Sequence, residues 1–319
     1  MIRVVTILGK DNHSILCIGA CNIDYKFKAK EKIIKKTSNP VDSTMSYGGV
    51  VRNIGENLSR LGQKVSLMSL IGQDILGEKL IEDIKEMMDI SLVEQTNKHS
   101  TGQYYAVINK DGDMDVAYAN MSIYQSMDET WIKKHAKIMK NFDYVIADLN
   151  VQKSAMQYLI QNCKKQVYKL AVIGVSGPKM KNLPKDLNGL EIIIVNKDES
   201  QAYFNLEGDS KSMCKLWLEK GVKKVVVTSG KDDLYFGQLN HIEKLPVIPV
   251  SQDQLLDSTG AGDGFSAGVI FGLLQEKPLK EALVYGMVNA SLTIQSEHSV
   301  RKDINKNELI QEVNDYESN

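Results

Sequence analysis

The chain has 319 residues, 43% of them hydrophobic and 25% charged, enough to bury one large α/β core with a small appendage. Its 39 basic and 40 acidic residues leave a formal charge of -1, which argues against a nucleic-acid partner. No apolar run reaches the length of a membrane span, and Cys17, Cys21, Cys163 and Cys214 form no C-x-x-C pair, so core thiols in a reducing, cytoplasmic compartment are expected rather than a metal site.

In chain order, Met1 to Leu8 is too short and badly flanked for a signal peptide. Residues 1–14 read as a short N-terminal extension. Apolar runs then predict strands over Ile15–Ile18, Val65–Leu70, Tyr144–Ala147, Val167–Ile173, Glu191–Val195 and Lys224–Thr228. Continuous apolar strands are those covered on both faces. Helical patterns fall between them: Ile54, Leu58 and Leu61 share a stripe closed by Gly62, and Gly264–Leu274 is apolar nearly all round. Alternation of this kind predicts a mostly parallel sheet with helices on both faces. Two segments break it. Tyr25–Lys36 is charged with little period, and Gln103–Tyr118 reads as a hairpin turning at Asp111-Gly112. They predict a small β lid, with strands from about 25–47 and 98–124, outside a main domain spanning 15–319.

The chemistry concentrates near the C-terminus, in Asp257-Ser-Thr259-Gly260-Ala261-Gly262-Asp263 running into the apolar helix. Glycines admit close backbone approach, and successive amides at a helix start form an anion-binding concavity. Phosphoryl transfer needs such preorganised donors. Asp263 stands at its mouth, suited to accept a proton from an attacking hydroxyl; capping the helix is the plainer alternative. No P-loop and no protein-kinase motif set is present.

This string resembles the C-terminal signature of the PfkB, or ribokinase-like, carbohydrate kinases. Gly48-Gly49-Val-Val-Arg-Asn53-Ile-Gly-Glu-Asn57 resembles their N-terminal one. The resemblance implies a three-layer α/β/α ribokinase-like fold and an ATP- and Mg²⁺-dependent kinase. It implies Asp263 as the base and the amides of Gly260, Ala261 and Gly262 as the anion hole. Asn196-Lys-Asp-Glu199 resembles the family's Asn-x-x-Glu element, in which Glu199 meets Mg²⁺ through water, although a helix cap has the same pattern. Thr228-Ser-Gly230 resembles the nucleotide-binding turn, with Asp233 where relatives carry a second glycine. Asn289 is a candidate for the adenine pocket or a satisfied helix asparagine. Asp257 and Thr259, with Ser296–Val300, resemble a K⁺-binding loop. Asp24, Asn22, Gly48, Gly49 and Asn53 are placed at the sugar.

Within the family, the Val50-Val-Arg-Asn53-Ile-Gly-Glu-Asn57 version of the first signature, Ser100-Thr101-Gly-Gln-Tyr-Tyr105-Ala-Val-Ile and Tyr118-Ala-Asn120-Met-Ser-Ile are similar to pseudouridine kinases, with Thr101, Tyr105 and Asn120 on a lid over the nucleoside. The chain departs from that pattern at Asn120, commonly aspartate, and at Gly174-Val175, often Asp-Pro. The expected activity is phosphorylation of the pseudouridine 5′-hydroxyl, with another sugar or nucleoside as the alternative acceptor and a non-catalytic nucleoside sensor as the alternative of a different class. The resemblance also implies a homodimer through the lid strands. With about fourteen residues before the first strand, no DNA-binding module is expected there.

Overall fold

A computed structural model describes residues 13–251, 254–256 and 258–318. The elements run β1 (Ser14–Ile18), β2 (Asn22–Ala29), β3 (Val41–Gly48), α1 (Val50–Arg60), β4 (Lys64–Gly72), α2 (Ile75–Ile84), β5 (Asp89–Thr96), β6 (Gly102–Ile108), β7 (Met114–Asn120), α3 (Glu129–Lys134) and α4 (Ala136–Met139). They continue with β8 (Tyr144–Asp148), α5 (Lys153–Lys164), β9 (Lys169–Ile173), β10 (Ile192–Asn196), α6 (Lys197–Phe204), α7 (Ser210–Glu219), β11 (Lys224–Ser229), β12 (Asp232–Gln238), β13 (His241–Leu245), α8 (Ala261–Leu274), α9 (Leu279–Ile294) and α10 (Lys306–Ser318).

Among the described residues the main sheet has nine strands in the order β13-β12-β11-β10-β9-β8-β1-β4-β5. It is parallel from β11 through β1 to β5, and β12 and β13 extend it past β11 in antiparallel pairing. Strand β1 shows why the apolar runs read as doubly covered. Ile15 and Cys17 enter the core under α1, α8 and α9, while Leu16 and Ile18 enter the opposite core with α5 and α7. All four are fully buried. Each aliphatic side chain buried this way contributes about 1.5–3 kcal/mol.

The six expected strands are all present, with small shifts at their ends. Three further strands, β5, β12 and β13, complete the edges. Their residues are mixed in polarity: β5 and β13 are the two edges, and β12, inside β13, buries Leu234, Phe236 and Gly237. Asp24 lies on β2, in the lid, with β1 ending at Ile18.

The lid is a separate four-stranded sheet, β3-β2-β6-β7, with β2 antiparallel to β3 and parallel to β6. Asn109 sets the expected hairpin turn between β6 and β7. Its side-chain oxygen accepts from the amides of Asp111 and Asp113, and Gly112 takes a φ of 99°. Thr101, fully buried, ties the start of β6 to the start of α2. Its amide and hydroxyl both donate to Asp74, which also caps α2 through the Gly77 amide.

Candidate active site

The chain leaves β1 on one side toward β4 and β5 and on the other toward β8, so the sheet's switch point lies between β1 and β8. Ligands in open α/β sheets bind at such a crevice, beyond the carboxyl ends of the strands. Asp148 closes β8 there, fully buried, and accepts from the amides of Ala20 (3.1 Å), Asn150 (2.9 Å) and, at longer range, Val51 (3.4 Å). A Cβ on Gly19 would lie 2.4 Å from its carboxylate, so only glycine lets the two strand ends meet. Asp148 thereby seats the first turn of α1 and the turn after β1 on one carboxylate. In the sequence Asp148 is one residue past the apolar run Tyr144–Ala147, and nothing beside it marks its role.

The Gly48-Gly49 turn presses lid, β1 loop and α1 together. A Cβ on Gly48 would fall 2.1 Å from Asp24 Oδ2; one on Gly49, whose φ is 108°, would fall 2.2 Å from the Ala20 carbonyl. Asn22 donates to Asp24 Oδ1 at 2.5 Å. Burial pushes the Asp24 carboxyl up to about 6, against the pull of Asn22, Lys26 and Arg52.

Asp263 sits in the first turn of α8 and accepts from Asn53 Nδ2 at 2.7 Å. Burial pushes its carboxyl up to about 7; the Asn53 bond and Arg52 pull it back, while Asp148 and Asp24 push it further. The residue keeps some solvent contact, as a group exchanging protons with a substrate must. Three carboxylates therefore converge on one crevice, two of them on residues expected at the site.

Gly260 caps α8 with a φ of 84°, and a Cβ there would strike the Ser299 carbonyl at 2.1 Å. A Cβ on Gly262 would meet open space, so the turn is packed behind and bare in front. The Ala261 amide donates to Ser258 O at 3.3 Å, a long bond. Thr259 Oγ1 accepts from Lys26 Nζ at 2.8 Å, joining the lid to the turn. Asp257 lies outside the described residues.

Asn196 and Glu199 form a full capping box at the start of α6. Asn196 Oδ1 accepts from the Glu199 amide (2.8 Å), and the Asn196 amide donates to Glu199 Oε2 (2.9 Å). Glu199 is nonetheless 5% exposed, and burial pushes its carboxyl up, with Asp198 adding to the push. A buried carboxylate in that condition suits a hydrated divalent cation, so the donor set fits Mg²⁺. Gly174 makes the placement possible, since a Cβ there would lie 2.1 Å from Glu199 Oε2. Thr228 stands in register beside Asn196. Gly230, with a φ of 60°, turns β11 back into β12. Asp233 pairs with Lys244 at 2.7 Å.

Four expected residues sit differently. Asn289 is fully buried; its Nδ2 donates to Gly264 O (2.7 Å) and Asn57 Oδ1 (3.2 Å), so it binds α9 to α8 and α1 and offers no surface to adenine. Thr101 is consumed by Asp74. Strand register pairs Asp24 with Tyr104, which puts Tyr105 on the other face, stacked on Tyr25 at 5.3 Å between ring centres. Asn120 pairs with Gln103 on that same face and donates to Ser100 Oγ at 3.1 Å. Tyr104, not Tyr105, shares Asp24's face.

Comparison with known proteins agrees with this geometry. Residues 12–305 match the pfkB family of carbohydrate kinases. The chain is 23% identical over 302 residues to the pseudouridine kinase of Escherichia coli, covering 92% of this chain and 95% of that one. It is 26% identical over 294 residues to the guanosine-inosine kinase of Exiguobacterium acetylicum, covering 89% and 95%. The Arabidopsis thaliana ribokinase complexed with ribose and ATP superposes with a TM-score of 0.83 at 18% identity, covering 95% of this chain and 99% of that one, which supports the ribokinase-like α/β fold. With nearly the whole chain matched and its glycine turn at the start of α8 facing the switch-point crevice, this protein belongs to the pfkB family of carbohydrate kinases, ATP- and Mg²⁺-dependent phosphotransferases acting on sugar or nucleoside alcohols.

Proposed function

We propose that the protein phosphorylates the 5′-hydroxyl of pseudouridine. The observation that carries the chemistry is the Asn53–Asp263 pair at the start of α8. A carboxylate raised toward neutrality and held by one donor is matched to general-base work near pH 7. Asp263 takes the proton of the acceptor hydroxyl as it attacks the γ-phosphorus of ATP, and the amides of Gly260, Ala261 and Gly262 receive the charge gathering on the transferred group. Asp24 and Asn22 hold the ribose hydroxyls, with Gly48 and Gly49 bringing backbone to the same ring. Glu199 with Asn196 would hold hydrated Mg²⁺, which would supply charge screening at the phosphates, and Thr228 and Gly230 would cradle the nucleotide. Lys26 carries a positive charge from the lid to the transfer turn. A K⁺ held near Asp257, Thr259 and Ser299 would stiffen that turn from behind, because Gly260 already packs on Ser299.

The choice of pseudouridine rests on the lid and first-signature stretches and on the Escherichia coli relative. The guanosine-inosine kinase similarity makes purine nucleosides the competing acceptors. An ADP-release assay over pseudouridine, uridine, inosine, guanosine and ribose decides between them. Turnover of pseudouridine at least tenfold above the others is expected; preference for inosine or ribose overturns the acceptor assignment.

With Asp263 as base, activity requires its ionised form. We expect kcat/KM to rise with pH through about 7 and level off above it. A profile flat from pH 5.5 to 8.5 would exclude a carboxylate of that pKa as the base.

We also propose a homodimer through the lid. Its face away from Asp24 carries Tyr25, Phe27 and Tyr105 in a stack, with Met45, Val116 and Tyr118 exposed around them. A second copy covering this face would bury aromatic surface that otherwise stays wet. Tyr118→Lys with Met45→Lys should give monomers at concentrations where the parent sediments as a dimer; equal sedimentation of the two removes this surface as the interface.

A further inference from the structure

Arg52 lies on α1 with 1% of its surface exposed. A guanidinium taken out of water is costly unless carboxylates and acceptors match it, and of this one Nε is left without an acceptor. Here it pairs with Glu56 at 2.6 Å, donates to Asp83 on α2, and lies 5.9 Å from the Tyr47 ring of the lid. It makes one more contact that helix geometry does not supply: Nη1 donates to the side-chain oxygen of its own neighbour Asn53 at 3.1 Å. Adjacent residues on a helix point about 100° apart, so side chains at i and i+1 do not ordinarily meet.

That contact fixes which way Asn53 faces. A carboxamide has one accepting end and one donating end; a guanidinium only donates and an ionised carboxylate only accepts. With Arg52 on one side and Asp263 on the other, only one orientation is satisfied, Oδ1 toward Arg52 and Nδ2 toward Asp263. We propose that Arg52 is a positioning residue for phosphoryl transfer. It locks the Asn53 carboxamide so that Asn53 donates to Asp263 Oδ2 and leaves Oδ1 to take the acceptor's proton. Glu56 in turn is fully buried and held by Arg60 (2.7 Å) and Lys302 (2.8 Å), so three cations surround two carboxylates beneath the site. The Arg52 charge favours ionised Asp263, which burial, Asp148 and Asp24 oppose.

The inference rests on Asp263 being the base, and the test separates the two. Arg52→Met leaves Glu56 with Arg60 and Lys302 and takes the Arg52 partner from Asp83, whose side chain is 18% exposed and so stays partly hydrated. Thermal melting and circular dichroism report its folding. We expect kcat to fall roughly 10- to 100-fold, as for a misplaced catalytic group, with KM for ATP within a few-fold. The acid limb of kcat/KM should move to higher pH, because Asp263 loses both a nearby cation and an oriented donor. Arg52→Lys keeps a charge but cannot reach Glu56, Asp83 and Asn53 together. It should restore part of the limb shift and little of kcat. A folded Arg52→Met with parental kcat and limb position overturns the proposal. So does a loss that is equal at every pH and shared by KM for ATP, the mark of a purely structural role. Should Arg52→Met not fold, the same readings on Arg52→Lys decide. Near-parental turnover by Asp263→Asn sinks the base assignment itself, whatever the Arg52 variants do.

Discussion

Asp263→Asn should lose about 10²- to 10⁴-fold in kcat, the range a positioned general base contributes, while nucleoside affinity stays within a few-fold. Asparagine keeps the shape and can still meet Asn53, so the acceptor's binding groups are undisturbed. What disappears is the proton acceptor. The same substitution carries a second signature. Burial and the neighbouring Asp148 and Asp24 raise the folded-state carboxyl to about 7, whereas an unfolded aspartate titrates near about 3.9. Between those values the folded state holds the proton and the unfolded state has released it, so this group's contribution to stability falls as pH climbs through that window and stays low above it. Asp263→Asn removes a charge that the fold disfavours, and Tm at pH 8 should therefore rise while activity vanishes. At pH 5, where the carboxyl is protonated in the fold, most of that gain should disappear. Titration calorimetry with the nucleoside and melting curves at the two pH values measure both parts. A variant that is inactive, destabilised at pH 8 and unable to bind nucleoside would show that Asp263 serves structure instead.

The candidate site was legible where its residues stand in a contiguous string and illegible where their partners lie far apart in the chain. The glycine turn before α8 could be read because phosphate chemistry demands small residues and amides in a contiguous string, here Gly260 to Asp263. Asp24 and Asn53 were readable through their places in two ordered motifs. Asp148 was not, because a single aspartate at a strand end has many explanations; only the three amides converging on it, from Ala20, Val51 and Asn150, reveal what it holds. Lys26 is one of several lysines in the charged segment Tyr25–Lys36, and nothing local marks it, since its partner Thr259 lies 233 positions away. Tyr104 and Tyr105 could be told to face opposite ways from the strand period alone. Which of them shares Asp24's face depends on the register of β2 against β6, and register is a property of the assembled sheet. Asn289 failed as a ligand residue for a related reason. Its helix is apolar on nearly all sides, so an asparagine there has no exposed face and must find its partners inside, on Gly264 and Asn57. The core strands, by contrast, announce themselves by composition, and only the amphipathic edge strands escaped notice.

Gly260→Ala should be the most damaging change outside the carboxylates. Two penalties coincide at that position. Its φ of 84° lies where a side chain costs about 1–2 kcal/mol. The added methyl would also sit 2.1 Å from the Ser299 carbonyl, and that obstacle is backbone, which no rotamer change can move aside. The turn must therefore swing forward, into the space that Gly262 leaves open toward the phosphates. Displacing one preorganised donor at a site of developing charge typically costs about 10²- to 10³-fold in kcat. We expect at least that here, because the amides of Ala261 and Gly262 move with the turn. Acceptor binding should survive, since Asp24, Asn22 and the Gly48-Gly49 backbone belong to the lid and α1 side of the crevice. Gly262→Ala serves as the internal comparison. Its φ is not left-handed and its Cβ meets open space, so any loss there reflects crowding of the phosphate alone. Steady-state kinetics on both variants, with ATP and acceptor varied separately, should place Gly260→Ala well below Gly262→Ala in kcat at similar acceptor KM. Equal, mild effects at the two positions would mean that the turn does not bear on the transferred phosphoryl group.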